Sequence, residues 1–176
     1  MAIQSHWPLT RSEILQRSGF AAKSVSFAAL FAALFTLGDF LSFYNLQIVT
    51  AFMVVCMGYC GARILFSATL IYSLIDVLFG LGMYWGLVLN WQAAAVTVFC
   101  ILALRPKAYG LAAGAAFLSF TVVDAFVAAA LLDIPFFAYL MAGIAFAVRG
   151  VLSGVVIGEV LMRVLRKRTK LHEILD

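Results

Sequence analysis

Three aspartates and one arginine stand in sequence that is otherwise apolar: Asp39 in FTLGDFLSF, Asp76 in YSLIDVLFG, Asp124 in FTVVDAFVA and Arg149 in AFAVRGVLS. A charged group at the centre of a membrane helix costs on the order of 3 kcal/mol, so each of the four needs a counterpart. A carboxylate in such surroundings is protonated, hydrogen-bonds to Tyr and Asn side chains, or balances a cationic or amine-bearing ligand. Arg149 suits a ligand carboxylate or one of the aspartates. A plain structural ion pair is the simplest alternative, but it employs one aspartate and leaves two.

The spacing of these residues from basic residues places them at one depth. Asp39 is 16 residues from Lys23, Asp76 is 13 from Arg63, Asp124 is 17 from Lys107 and Arg149 is 14 from Arg163. With a helical rise of roughly 1.5 Å per residue, all four lie roughly 20–25 Å above the level of the basic residues. Gln47, Asn90 and Gln92 enter the same layer by the same count, and Tyr44, Tyr84, Trp85 and Trp91 gather at the helix ends just above it. The aromatic residues equally suit an interfacial belt. Below this layer the segments are mostly Ala, Val, Leu and Phe, so the polar groups describe a cup open on one side.

The elements that carry the cup must be membrane helices. Of 176 residues 65% are hydrophobic and 11% charged, and the mean hydropathy is +1.09; an ordinary soluble domain is about half apolar and a quarter charged. The apolar sequence divides into six predicted passes, at 24–44, 47–62, 64–83, 88–104, 108–132 and 136–162, most of them near the roughly 20 residues that cross hydrocarbon. Turn residues mark the breaks: Asn45, Gly82 with Gly86, Pro106, and Asp133 to Pro135.

Six passes put both termini on one side, together with Arg11, Arg17, Lys23, Arg63, Arg105, Lys107 and the basic tail from Arg163 to Lys170. The positive-inside rule makes that side the cytoplasm, and the cup then opens outward. The fold class expected is therefore an all-α, six-helix membrane bundle with an outward-facing cavity. Residues 1–23 form a cytoplasmic or interfacial segment, 24–162 the membrane domain and 163–176 a basic cytoplasmic tail. Thr10 with Glu13 has capping-box spacing, which predicts a short interfacial helix anchored by Trp7.

Other chemistry is weakly represented. There is no nucleophile motif, Gly-rich phosphate loop or His-x-x-x-His, so neither an intrinsic enzyme nor a metal centre is expected. Cys56, Cys60 and Cys100 lie in apolar stretches as small buried side chains, and His6 and His172 as solvated ones. Glu159 and Arg163, four apart, suit an exposed helix pair. The net charge of +4 sits beside apolar runs, which argues for orientation in a bilayer rather than a nucleic-acid partner.

Small residues supply close-packing faces. Ala28 with Ala32 and Ala29 with Ala33 are two interleaved small-xxx-small pairs in the first pass; Gly110 with Gly114, and Gly150, Gly154 and Gly158, repeat the spacing later. Such faces serve internal packing or a partner helix.

With SFAALFAALFTLG at the start of the first pass and the short connection in GYCGARILFSATLIYSLIDVLFG, the chain resembles the substrate-binding S components of energy-coupling factor (ECF) vitamin transporters. Size, six passes and both ends inside add to the likeness. The resemblance implies high-affinity binding and uptake of a small water-soluble vitamin or precursor across the cytoplasmic membrane of a prokaryote. It also implies a transmembrane coupling subunit and two ATPase subunits as partners. ATP is used by those subunits, with no cofactor of the chain's own. Carried onto this sequence, Ala28, Ala32, Ala29 and Ala33 would dock the coupling subunit, and the loop with Gly80, Gly82, Tyr84, Trp85 and Gly86 would be a lid. A non-transporting membrane scaffold of the MreD type looks similar in size and topology, and would use the Gly and Ala faces without a ligand.

Overall fold

In the computed structural model the described residues are 11–42, 48–79, 85–104 and 109–168, with side chains described at 21–41, 48–79, 85–103 and 109–165. These residues form five α-helices and, among the described residues, no strand: α1 (Arg11–Ser42), α2 (Val49–Phe79), α3 (Gly86–Leu104), α4 (Tyr109–Leu132) and α5 (Phe136–Arg168). All five are long and apolar enough to cross a membrane. Long apolar side chains point away from the bundle, Leu78 being 80% exposed and Phe137 76%, as expected of a surface that meets lipid rather than water.

The expectation of six separate helices is corrected at one place. The chain does not leave the helix between 62 and 64; it passes through a single non-helical residue, Gly61, at φ 81° and ψ 173° inside α2. Only glycine occupies that region without strain, because a Cβ there meets the backbone. A straight helix would separate Val49 from Tyr72 by about 34 Å. Instead Val49, Thr50, Met53 and Tyr72 line the same small cavity. In α1, the Phe35 ring is 6.0 Å from the Tyr72 ring, and a Cβ on Gly38 would lie 3.3 Å from Val49 Cγ2. The chain therefore folds back at Gly61, and the arms 49–60 and 62–79 run beside each other.

Two further expectations shift. Among the described residues the first helix begins at Arg11 and runs unbroken into its membrane-length stretch from Ala21 to Leu41, so residues 11–23 are continuous with the first pass; Trp7 and Thr10 lie outside the described residues. The last helix runs to Arg168, past the expected end at 162.

The folded-back α2 is the centre of the bundle. Half of its most apolar stretch is buried, against 17–28% for the other four helices. Its Met53, Cys56, Leu65 and Ala68 meet Phe35 of α1, Ala93 and Ala94 of α3 and Ala112 and Ala113 of α4 in one core.

Glycines set the distance between α4 and α5. A Cβ at Gly110 would run into the Val155 carbonyl oxygen, one at Gly114 would lie 2.6 Å from Val155 Cγ2, and one at Gly150 would strike the Phe117 ring. These glycines therefore serve internal packing, not a partner. The contact is locked at one end by Glu159, whose Oε2 accepts from the Gly110 backbone N–H at 3.2 Å while Oε1 accepts from Arg163 Nε at 2.8 Å. Glu159 is thus more than an exposed pair with Arg163: it satisfies an orphan N–H in the first turn of α4.

The alanine face of α1 is corrected in register. Ala28 and Ala32 are 4% and 1% exposed, inside the core that α1 forms with α2, and cannot form a docking surface. Ala29 and Ala33 are exposed. The two pairs are one residue apart, about 100° around a helix, and α2 takes one of them.

Candidate functional site

At the end of the bundle where α1 finishes and α3 begins, the helices part around a polar cavity of about 370 Å³. Asp39 reaches it from α1, Tyr72 and Asp76 from the second arm of α2, Leu89 and Asn90 from α3, Phe120 and Asp124 from α4, and Tyr139 from α5. Trp85 and Gly86, at the start of α3, complete the wall with Leu132. All five helices contribute. The volume falls within the range of small-molecule sites.

Local sequence explains these positions. Tyr72 and Asp76 are one turn apart, so both face inward from one arm. The 15-residue separation of Asp124 and Tyr139 spans the end of α4, the Asp133 to Pro135 break and the first turn of α5. Asp133 takes φ 56° there, a left-handed conformation that Asp tolerates better than most residues and that turns the chain back.

Two of the carboxylates are held by neutral donors. Asn90 Nδ2 donates to Asp76 Oδ2 at 3.3 Å, and the Tyr139 hydroxyl donates to Asp124 Oδ2 at 2.8 Å. Asp76 is 7% exposed, and its Oδ1 is buried with no hydrogen-bond partner. A buried acceptor left unmade costs about 1–3 kcal/mol, more when it is charged. A second such atom is Thr50 Oγ1, which lies beside Gly154 of α5; Thr50 itself is among the residues of a smaller pocket of about 60 Å³, with Asp39, Tyr72, Asn90, Met53 and Phe117. Because the small pocket shares Asp39, Tyr72, Asn90 and Phe120 with the large cavity, it reads as the cavity's floor. Phe120, Asp124 and Tyr139 also line a neighbouring cavity of about 300 Å³ between α4 and α5.

The sequence-predicted site residues divide accordingly. The structure gathers Asp39, Asp76, Asp124, Asn90 and Trp85 around one cavity. It does not bring Arg149 there: that side chain is exposed on α5 and is absent from the walls of both polar cavities and the small pocket. Trp91 stacks on Phe66 at 5.3 Å and is 37% exposed, a position that suits an interfacial residue. Gln92 is half-buried with Oε1 lacking a partner, two residues and so about 200° round α3 from Asn90, and outside the cavity wall. Tyr44, Gln47 and Tyr84 lie outside the described residues, as do Gly80 and Gly82.

Tyr72, Tyr139, Thr50 and Phe120 are wall residues that sequence reasoning passed over. A signal existed for Tyr72, which precedes Asp76 by one helical turn. None existed for Tyr139, whose partner is on another helix.

Among the described residues, none that lines the cavity is basic. Among the described residues no three His, Cys, Asp or Glu side chains converge closely enough to ligate one ion. The carboxylates reach the wall from three different helices, α1, α2 and α4. Such an arrangement can hold an organic cation by several charge-assisted hydrogen bonds, with apolar and aromatic surface from Leu89, Phe120, Leu132 and Trp85 against its body.

The chain matches no protein-family model, no curated protein and no solved structure.

Proposed function

We propose that the protein binds a small, water-soluble, amine-bearing or cationic molecule of vitamin type and acts as the S component of an ECF-type transporter. The observation that carries this reading is the cavity of about 370 Å³ walled by Asp39, Asp76 and Asp124, with no basic side chain among the described residues that line it. Three carboxylates facing one space repel one another, and a bound cation relieves that repulsion.

The remaining parts of the proposal follow from chain direction and charge. If the two arms of α2 on either side of Gly61 count as separate passes, the total is six and both termini share one side. The basic residues make that side the cytoplasm, and the acidic cavity then faces outward. Ala29 and Ala33, left exposed by the register of α1, are the small residues on which a coupling subunit would dock; its two ATPase partners supply the energy.

Native mass spectrometry of the protein purified with its membrane lipids tests the reading. A bound small amine is expected on the wild type and absent from Asp76→Asn. A preparation that carries no small molecule, together with uptake unaltered by Asp76→Asn and Asp124→Asn, would overturn it in favour of a scaffold.

A further inference from the structure

Between α1, the first arm of α2 and the last turns of α5 the bundle carries a groove of about 300 Å³. Hydrocarbon and aromatic side chains and one thiol, that of Cys60, form its walls, and among the described residues that line it none is charged. We infer that this groove holds an acyl chain of an anionic phospholipid whose phosphate meets Lys23. The groove takes residues 27–34 of α1, toward the opposite end of that helix from Asp39, so it stands whether or not the acidic cavity binds an amine.

Its shape suits a hydrocarbon chain. Phe27, Leu30, Phe31 and Leu34 form one stripe along α1, about 100° wide at about 100° per residue. Phe31 is the core edge of that stripe at 7% exposed, and Leu30 is the outer edge at 53%, so the groove opens where lipid meets the bundle. Along the axis, seven residues cover roughly 10 Å, within the roughly 15 Å that one leaflet contributes to the hydrocarbon core. A partner helix of that length, about 10 Å across, takes roughly 800 Å³ and cannot enter. An acyl chain lying along α1 can.

Charge at one end of the groove supplies the headgroup. Lys23 precedes Phe27 by four residues, which puts it about 6 Å beyond the groove and within about 40° of Phe27 on the same stripe, and its side chain is exposed. Arg63, exposed as well, follows Cys60 by three residues at the same end. The one carboxylate at this end among the described side chains is that of Glu159, already engaged by the Gly110 N–H and Arg163. A lysine whose stem runs along apolar surface carries its ammonium to headgroup level, and an anionic phosphate is its complement in a bilayer.

The test is native mass spectrometry of the full-length protein released from nanodiscs of equal phosphatidylglycerol and phosphatidylethanolamine with matched chains. One phosphatidylglycerol per protein is expected, retained about fivefold over phosphatidylethanolamine, the factor for one lysine beside an anionic membrane surface. Lys23→Gln should bring the ratio close to one. Arg163→Gln removes the same charge about 200° round α5 from the groove residue Leu161 and should keep the preference. Leu30→Trp fills the groove from its exposed edge, and Cys60→Phe fills it from α2; each should lower retention of both lipids in a protein that still melts cooperatively.

Equal retention of the two lipids by the wild type would overturn the inference, as would a preference lost equally in Lys23→Gln and Arg163→Gln. Retention unchanged by both groove-filling variants would place the lipid elsewhere and overturn it too. Displacement of the lipid by glycerol 3-phosphate would mark a site for free phosphate esters instead.

Discussion

Replacing Gly110 by alanine is expected to destabilise the protein, although alanine is the better helix former. The new Cβ would overlap the Val155 carbonyl oxygen and lie 3.0 Å from Glu159 Cβ and 3.2 Å from the Val155 carbonyl carbon. Carbon atoms settle at about 3.5–4.0 Å. Backbone cannot swing aside as a side-chain tip can, so α4 and α5 must separate locally. Overpacking of this kind costs about 1–3 kcal/mol, and the Gly110 N–H bond to Glu159 at 3.2 Å, worth about 0.5–1.5 kcal/mol, is strained with it. Alanine's helix advantage returns at most about 1 kcal/mol.

The net is a loss of about 1–3 kcal/mol, or a melting temperature lower by about 2–12 °C at about 2–4 °C per kcal/mol for a chain of this size. Gly143→Ala is the matched control: it lies in α5 and nothing stands within 4 Å of its added Cβ, so its melting temperature should be unchanged or slightly raised. Thermal unfolding of the detergent-purified variants, followed by fluorescence, reads both. A Gly110→Ala protein as stable as the wild type, or a Gly143→Ala protein that falls with it, would refute the packing account.

Three other outcomes are expected. Gly61→Ala has open space around its Cβ yet forces a side chain into φ 81°, and should cost about 1–3 kcal/mol in the same melting assay. Ala28→Leu should lower the melting temperature, because it overpacks the α1–α2 core by about 1–3 kcal/mol; Ala33→Leu should leave it unchanged and instead reduce copurification with the coupling subunit. Tyr139→Phe removes the 2.8 Å bond to Asp124 and should weaken ligand binding by a few-fold to about tenfold in titration, with the fold intact.

The depth of the acidic layer was legible in the sequence because helix rise is constant: counting from basic residues puts Asp39, Asp76 and Asp124 at one level whatever the packing. Direction around the helix was not. Arg149 lies on the same count, yet its side chain is exposed on α5, and Ala28 and Ala29 differ by one residue but point to core and surface. Facing is decided by which neighbour each helix meets, and a helix apolar all round gives no hint of it. The turn in Gly-Ala-Arg at 61–63 was visible as a break, but not that a single residue makes it. Donors such as Tyr139, paired across two helices, had no sequence signature at all.

The central claim is that carboxylates from separate helices converge on one ligand. Titration of the copurified ligand against four variants tests it most directly. Asp76→Asn and Asp124→Asn, in the cavity wall, should each weaken binding at least about tenfold. Gln92→Leu and Arg149→Gln, outside it, should bind as the wild type does. Affinity lost at Gln92 or Arg149 and kept at both aspartates would contradict the account.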